Sequence, residues 1–350
     1  MIVTKEFVNE LQFVAPFAET KTTIPILTYI ALRSEKGRIY IAATDLEVAG
    51  VSSIAVSGNE QWAVCLPVGI LLDRIKVGTE ITTDAANIKI TTSGRSNLFG
   101  ESTKSFLSIT GLGIESFPQI PVLAANTQLF GLRTAAPRIL IAVSRKALTK
   151  FTLNAALLEI GSWGCKLVST DNSQLSIVDL SCTSKLPVKV LIPSGALRHL
   201  DAWESAHFGF NNEALIFSRG CRSVVTQRLL GDFPDYKCII PKDHLYKLAL
   251  PVKTTIAALE KLIPARIVKA TLTKGLLTLS TVDADAGQYA EHIPVEWSGG
   301  PWEAGYNVIY LRNMLSLCPS ATVEWSFTSA RKANTFAVPG WKYVLMPLKI

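Results

Sequence analysis

The sequence predicts an α+β protein built from three tandem copies of one domain. Three landmarks recur in the same order along its 350 residues. They are an apolar strand that runs into a Thr-Asp step, an apolar strand that opens a short helix, and an aromatic or apolar residue beside a closing proline. Asp45 and Asp171 lie 126 residues apart, and Pro118 and Pro234 lie 116 apart. This period is the size of a whole domain and is too long for a solenoid repeat.

The landmarks place the three domains at residues 1–120, 121–242 and 243–350. Similar units joined head to tail tend to follow an arc or to close into a ring, which is the expectation for this chain. The third copy carries its Thr-Asp step as Thr281-Val282-Asp283 and closes with Leu345-Met346-Pro347.

Apolar periodicity and turn residues predict two helices and several strands in each copy. The predicted helices are 5–17, which Pro16 ends, 68–77, 139–150 after Pro137, 194–203 with Ser194 as its cap, 254–263 and 311–317. The predicted strand regions are a hairpin within 25–54, then 81–92, 96–109, 153–179 and 213–229, with further strands after 263 and after 317. Spacing in the fifth helix places Ile256, Leu259 and Ile263 on one face.

Composition favours a folded globular chain. Hydrophobic residues make up 48% of the sequence and charged residues 18%, which is unlike a disordered protein. No apolar run approaches the roughly 18 residues that a membrane-spanning helix needs. Residues 1–6 do not have the basic and apolar segments of a signal peptide. We therefore expect a cytoplasmic protein with no membrane partner.

The sequence contains no recognisable catalytic or metal-binding motif. Its six cysteines form no C-x-x-C pair, and its four histidines show no metal spacing, so we expect reduced, buried cysteines. Residues 283–287 resemble half a calcium loop, but Pro294 stands at the twelfth position, where a bidentate Glu is needed. The repeated Thr-Asp steps suit a turn in which Asp bonds the backbone. We predict no catalytic residue, no metal and no cofactor.

Basic charge is concentrated in the last two thirds of the chain. The net charge is +7 overall, but residues 1–120 carry 10 basic and 12 acidic residues, whereas residues 121–242 carry 14 and 8. Residues 243–350 carry 11 and 8. This distribution indicates a polyanion as a partner, although solvated surface charge explains part of it.

The landmarks together resemble those of the bacterial DNA polymerase III beta subunit, the beta sliding clamp. The most specific segments are Gly231-Asp232-Phe233-Pro234-Asp235-Tyr236 and the final Tyr343-Val344-Leu345-Met346-Pro347-Leu348-Lys349-Ile350. Their order and spacing match over the whole chain. The resemblance implies the DNA clamp (processivity) fold, with three domains of two helices packed on β-sheets, and a head-to-tail homodimeric ring. It implies a non-catalytic processivity factor that encircles double-stranded DNA.

The resemblance also implies two sets of site residues. Basic residues on or beside helices are expected to contact DNA phosphates, independently of sequence: Lys21, Arg74, Lys76, Arg145, Lys146, Lys150, Arg198, Lys253, Lys261 and Arg312. A pocket between the second and third domains is expected to bind short Gln- and Leu/Phe-bearing motifs of DNA polymerase, clamp loader and repair proteins. Its residues would be Leu153, Thr170, Asn172, Ser173, Gln174, Leu175, Pro234, Cys238, Ile239, Val344, Met346, Pro347, Leu348 and Lys349.

The chain departs from the family pattern within this pocket. Asn172-Ser173-Gln174 stands where the family usually has Gly-His-Arg, and Cys238 stands where a basic residue is common. The overall positive charge is also unusual, and the third domain is short between Pro264 and Leu276. An alternative is therefore a clamp paralogue with altered partners in repair or in plasmid or phage replication. An enzyme with an unrecognised site is the rival from another functional class.

Overall fold

The computed structural model describes residues 2–58, 60–84, 87–93, 104–144, 151–184, 186–263, 265–281 and 289–350. They form two compact units. The first unit is Met1–Gln128 with Ala206–Arg228, and the second is Leu129–Ser205 with Leu229–Ile350. The half calcium loop at 283–287 lies outside the described residues.

The described residues contain six α-helices and 23 strands. The helices are α1 Lys5–Val14, α2 Val68–Arg74, α3 Leu132–Leu140, α4 Ser194–Leu200, α5 Val252–Leu262 and α6 Val308–Ser316. The strands up to the middle of the chain are β1 Tyr29–Glu35, β2 Arg38–Thr44, β3 Val48–Ala55, β4 Trp62–Pro67, β5 Glu80–Asp84, β6 Asn87–Ser93, β7 Lys104–Thr110, β8 Thr127–Phe130, β9 Ala155–Gly161, β10 Gly164–Thr170, β11 Gln174–Cys182 and β12 Val188–Pro193. The later strands are β13 Ser205–Phe210, β14 Ala214–Arg219, β15 Arg222–Gln227, β16 Tyr246–Pro251, β17 Ile267–Thr273, β18 Leu276–Thr281, β19 Ala290–Pro294, β20 Trp302–Asn307, β21 Thr322–Phe327, β22 Asn334–Val338 and β23 Trp341–Leu345.

The first unit is built on an antiparallel sheet in the order β4-β1-β2-β3-β15-β14-β13. A separate sheet has the order β5-β6-β7. Helix α1 packs on β2 and β3 through Phe7, Leu11 and Val14, which recur at helical spacing and are all buried. Thr4 caps this helix by accepting a hydrogen bond from the Phe7 N–H at 3.2 Å.

The second unit repeats this architecture. One sheet has the order β12-β9-β10-β11-β23-β22-β21-β16, and a second has the order β19-β18-β17-β20. Helix α3 packs against α4 and β11, and α5 packs against α6. Trp325, Tyr306 and Phe336 fill the core beneath α5 and α6. The prediction of an α+β fold is therefore confirmed.

The Thr-Asp steps form the same turn in both units, as predicted. The Asp45 Oδ1 accepts hydrogen bonds from the backbone N–H groups of Glu47 and Val48, at 2.9 and 2.7 Å. The Asp171 Oδ1 does the same for Ser173 and Gln174, at 2.9 and 3.0 Å. The residue after each Asp has a positive φ, 76° at Leu46 and 75° at Asn172. The third step, at Asp283, lies outside the described residues.

The prediction of a helix at 139–150 is wrong. Helix α3 starts at Leu132 and ends at Leu140, with Pro137 inside it. The spacing of Leu132, Ala135, Ala136 and Ile139 buries one face of this helix, and that burial outweighs the tendency of proline to mark a helix start. Residues 141–144 are not helical, and 145–150 lie outside the described residues.

Smaller corrections concern helix ends and faces. Ser194 is the first residue of α4 and does not cap it; its hydroxyl donates to Asn154 Oδ1 at 2.9 Å. In α5 the buried residues are Val252, Thr255, Ala258, Leu259 and Leu262, whereas Ile263 is exposed. Helix α6 begins at Val308, three residues before the predicted start, because Asn307 caps it.

The remaining differences concern the end of the first helix and the exposure of two cysteines. The first helix ends at Val14, and Pro16 lies in the 3₁₀ turn that follows it. Two of the six free cysteines, Cys221 and Cys238, are exposed and not buried as predicted. No helix among the described residues is long and apolar enough to cross a membrane.

Candidate functional site: a pocket edge and a set of basic residues

The candidate peptide pocket lies where strand β23 joins β11. The two strands pair antiparallel, with Leu175 opposite Val344. Both side chains are buried in one apolar cluster with Phe233 and Tyr236. The cluster therefore joins three of the sequence segments that were predicted to form the pocket: the strand after the second Thr-Asp step, the Phe-Pro-Asp-Tyr segment and the last strand.

Gln174 fixes the end of β11. Its side chain is buried, and its Nε2 donates to the Ile141 carbonyl at 2.9 Å and to Asp171 Oδ2 at 2.8 Å. Its Oε1 accepts a hydrogen bond from the Tyr343 hydroxyl. Burial raises the pKa of Tyr343 well above its ordinary value, so the hydroxyl stays protonated as the donor. Gln174 thus links the end of β11 to β23 beneath the pocket. Its amide is buried and already hydrogen-bonded within the chain, so it is not available to a partner.

The residues after β23 form an exposed apolar edge. The backbone N–H of Met346 donates to the Ser173 carbonyl at 3.0 Å, and that of Leu348 donates to the Gly305 carbonyl at 2.8 Å. These two bonds hold the tail in place, yet Met346 remains 37% exposed and Leu348 36% exposed. A flexible thioether and an aliphatic side chain held on a fixed backbone suit adaptable apolar contacts.

The segment after Phe233 forms the other side of the candidate peptide pocket. The Tyr236 hydroxyl donates to Glu159 Oε2 at 2.6 Å, and Lys237 Nζ lies 3.9 Å from Glu159 Oε1. Burial and the bond to Glu159 raise the pKa of Tyr236 above its ordinary range. The Cys238 thiol donates to the Asp235 carbonyl at 2.7 Å and is exposed, as is Ile239.

The predicted pocket residues separate into a buried support and an exposed rim. The buried members are Leu153, Thr170, Gln174, Leu175 and Val344, and the partly buried ones are Pro234 and Pro347. The exposed members are Asn172, Ser173, Cys238, Ile239, Met346, Leu348 and Lys349. Sequence reasoning missed Tyr343, Tyr236 and Glu159, which orient the others. The Tyr of the Phe-Pro-Asp-Tyr segment was a visible signal, but its buried acidic partner was not.

The predicted DNA-contacting residues fall into two groups among those described. Arg74, Lys261 and Arg312 lie within ion-pair distance of Asp73, Glu291 and Glu260, at 2.9, 3.0 and 4.0 Å. The exposed residues Lys21, Lys76, Arg198 and Lys253 make no ion pair with any described residue. Arg145, Lys146 and Lys150 lie outside the described residues. The four residues without an ion pair are the better candidates for binding a phosphate, because no described carboxylate lies close enough to offset their charge.

The described residues contain no group of three His, Cys, Asp or Glu side chains placed to hold a metal ion. The groups with strongly shifted pKa values have structural explanations. Burial raises the pKa of Cys65 and of Cys318, each to about 11. Neither thiol lies in the pocket edge described above.

Family models match both ends of the chain. The model for the N-terminal domain of the DNA polymerase III beta subunit matches residues 1–121, and the model for its C-terminal domain matches residues 237–349. Together they cover more than half of the 350 residues. The chain belongs to the DNA polymerase III beta subunit family.

Relatives and solved structures agree with this assignment to the beta subunit family. The beta sliding clamp of Caulobacter vibrioides strain NA1000 is 26% identical over 97% of this chain and 96% of its own length. That of Synechococcus elongatus is 24% identical over 99% and 97%. Among crystal structures, the beta subunit from DNA polymerase of Streptococcus pyogenes gives a TM-score of 0.88 at 17% identity, covering 99% of this chain and 98% of its own. The Pseudomonas aeruginosa sliding clamp bound to griselimycin gives 0.87 at 19% identity, covering 100% and 99%. The clamp fold is therefore shown.

Proposed function

We propose that this beta subunit family member encircles double-stranded DNA and tethers the replicative polymerase for processive synthesis. The observation that carries the proposal is the match of both family models at the two ends of a chain that full-length beta sliding clamps cover almost completely. The agreement of its fold with solved clamps supports it. The relatives match 97% and 99% of this chain, so the likeness is not confined to one domain.

The proposed assembly is a head-to-tail homodimer in which each chain contributes three domains, at 1–120, 121–242 and 243–350. Contacts with DNA would be made by basic side chains and phosphates, because base readout would interrupt sliding. Lys21, Lys76, Arg198 and Lys253 are the strongest described candidates, since they make no ion pair with a described residue. Such contacts weaken as salt rises.

Partner proteins would bind through short peptide motifs at the β11–β23 edge. The exposed apolar side chains of Met346, Leu348 and Ile239 would contact aliphatic or aromatic anchors. The polymerase, the clamp loader and repair proteins are the proposed partners. The protein would act without catalysis or cofactor, in the cytoplasm. The paralogue alternative is not favoured, because the relatives found are named simply as beta sliding clamps.

The decisive experiment compares retention on closed circular DNA and on the same DNA after linearisation. The fluorescently labelled protein is loaded on the circle with a bacterial clamp loader and ATP, and unbound protein is removed by gel filtration. A ring that threads DNA stays on the circle and leaves the linear molecule through its ends. Equal retention on both would contradict the proposal. Light scattering should give a mass of twice 38.0 kDa.

A charge variant separates the proposed DNA contacts from general basicity. Lys21→Glu with Arg198→Glu and Lys253→Glu should shorten retention on the circle and reduce its salt dependence. The matched control is Lys36→Glu with Lys247→Glu and Lys269→Glu, three basic residues already within 4.0 Å of acidic partners. Equal losses in both variants would contradict the assignment of the DNA contacts.

A further inference from the structure

The first unit contains an open groove of about 630 Å³ on the face of its large sheet. Strands β1, β2, β3, β14 and β15 form its floor, and the segment 114–122 forms its wall. Most of the lining residues are apolar, Gln119 and Ser223 add polar groups, and Arg33 is the one charged residue among the described residues that line it. A volume of this size lies within the range of protein ligand sites, about 300–1,000 Å³.

The floor of the groove can be compared position by position with the second unit. Tyr29 pairs with Pro67 in the first unit and Ala155 pairs with Pro193 in the second, so equivalent strand positions are 126 residues apart. The second unit carries larger apolar residues at the floor positions: Leu157, Val168 and Ile177 stand for Ala31, Ala42 and Val51. All three larger residues are buried in the cluster beneath the candidate peptide pocket. The smaller side chains leave the same place open in the first unit.

The wall differs in the same way. Phe117 and Phe233 are equivalent, which places Ile120 opposite Tyr236 in the comparison. Tyr236 is buried, and its hydroxyl is held by Glu159 at 2.6 Å. The residue equivalent to Glu159 is Arg33. The second unit therefore fills its own cluster with a phenol held by a carboxylate, whereas the first unit has an open volume beside a guanidinium.

Arg33 is available to an incoming anion. Its guanidinium lies 5.3 Å from the centre of the Tyr40 ring, which also lines the groove. Its ion pair with Glu35, at 3.3 Å, involves a side chain that is 56% exposed. Exposed pairs of this kind contribute little and exchange readily. A guanidinium recognises a carboxylate well through two parallel hydrogen bonds.

We propose that this groove is a second docking site, for a short segment of a partner protein that carries a bulky apolar side chain next to an acidic one. The apolar side chain occupies the volume that Tyr236 and Leu157 occupy in the second unit. The carboxylate pairs with Arg33. The site is separate from the β11–β23 edge and lies wholly within the first unit.

The test uses a fluorescein-labelled peptide, Gly-Leu-Phe-Glu-Asp-Gly, and its charge-reversed counterpart with Lys-Lys in place of Glu-Asp. Binding is measured by fluorescence anisotropy on the full chain carrying Met346→Ala and Leu348→Ala, so that the other edge is weakened. We expect the acidic peptide to bind at least about tenfold more tightly than the basic one. Hydrogen exchange should show protection in residues 29–42 and 114–122.

Three variants locate the binding. Arg33→Glu should weaken the acidic peptide at least about tenfold and strengthen the basic one. Ala31→Leu with Ala42→Val, which copies the second unit, should remove binding by filling the groove. Val122→Glu, at a side chain that is 98% exposed, should weaken the acidic peptide by repulsion without a risk to folding. Lys36→Glu, at a basic residue that does not line the groove, is the matched control and should change affinity less than Arg33→Glu.

Three outcomes would overturn the proposal. The first is unchanged affinity in Arg33→Glu and Val122→Glu. The second is exchange protection confined to residues 341–350. The third is a change in solution mass on filling the groove with no change in peptide affinity, which would identify the groove as a contact between copies of the chain. None of them bears on retention on circular DNA, so the proposed function is tested separately.

Discussion

The two units share one backbone arrangement, an Asp turn followed by two paired strands, which we call the sheet corner. The side chains at this corner differ between the units. In each, an Asp turn leads into a strand, β3 or β11, and a later strand, β15 or β23, pairs with it. The pairing extends in the same way to the residue just before β3 and just before β11: Gln227 N–H donates to the Glu47 carbonyl at 3.3 Å, and Met346 N–H donates to the Ser173 carbonyl at 3.0 Å. The backbone is thus repeated, while the side chains at the corner have diverged.

The divergence affects charged contacts as well as volume. Glu10 of α1 lies against Arg222 of β15, with the Arg222 Nε 2.7 Å from Glu10 Oε2. In the second unit Arg138 of α3 lies 4.7 Å from the ring centre of Trp341 on β23. Arg222 also lies 4.9 Å from the centre of the Phe13 ring. Both units therefore place an arginine over an aromatic ring, and the first unit adds an ion pair with Glu10. The comparison teaches that hydrogen bonds of the turn and the strand edge preserve the corner, which leaves its side chains free to specialise.

Tyr236→Ala should have the largest effect on stability. It removes a buried ring and the hydrogen bond to the Glu159 carboxylate, which keeps only the Lys237 ammonium 3.9 Å away, so we expect a loss of about 3–5 kcal/mol. Hydrogen exchange followed by mass spectrometry would assign the loss to the second unit. The matched change, Ile120→Ala, borders an open groove and should cost about 1 kcal/mol. Equal losses would contradict the proposed difference in packing between the two corners.

Met346→Ala with Leu348→Ala should weaken binding of a polymerase-tail peptide bearing Gln, Leu and Phe at least about tenfold, or about 1.4 kcal/mol. Both side chains are exposed, so dimerisation and thermal stability should stay within the range of neutral surface changes. Isothermal titration calorimetry measures the affinity. Leu186→Ala, at a side chain that is 75% exposed, is the control. Unchanged peptide affinity in the double variant would rule out the pocket assignment.

Much of the corner could be predicted from the sequence, because local chemistry determines it. The Thr-Asp steps predicted turns that form in both units, and helices α2 and α5 lie close to their predicted bounds. The start of α3 was missed because Pro137 is read locally as a helix start, whereas the burial of Leu132 and Ala135 is a tertiary effect. The hydrogen bond between Gln174 and Tyr343 joins residues 169 positions apart, so only the folded sheet reveals it. The groove arises because its floor carries small side chains, and no sequence motif indicates such an opening.

Glu10→Gln should remove an acid-sensitive contribution to the stability of the first unit. Burial acts to raise the pKa of Glu10, but hydrogen bonds from Arg222 and Ser52 outweigh it and lower the pKa. The contribution is therefore present above the unfolded pKa of about 4.3 and is lost as pH falls through the lower folded pKa. The substitution should cost about 1–2 kcal/mol at pH 7.

Chemical denaturation between pH 3 and pH 7, with exchange assigned to each unit, checks this prediction. The wild-type first unit should lose stability towards pH 3 more steeply than the variant. Arg138→Gln in the second unit is the comparison, because its cation–π contact involves no acidic group and should leave the pH profile unchanged. A steep acid loss that persists in Glu10→Gln would contradict the assignment.

Leu46→Gly should give the smallest effect and the opposite sign. Leu46 has φ 76°, where an aliphatic side chain is strained, whereas Asn172 has φ 75°, which Asn tolerates better. Glycine should relieve the strain at Leu46 and stabilise the first unit by about 0.5 kcal/mol after its greater unfolded-state entropy is counted. Asn172→Gly should be neutral or slightly destabilising. Matching shifts in thermal melting for both variants would contradict the difference.

The exposed thiol of Cys238 is a site for selective chemical modification at the rim of the proposed pocket. Relatives with a basic side chain at this position would not react with a thiol-selective electrophile there. A peptide-like inhibitor bearing such an electrophile could therefore be made to cross-link to this clamp and spare those relatives. With Cys221 replaced by serine, an environment-sensitive dye on Cys238 would report, in real time, when a partner arrives at the rim and when it leaves.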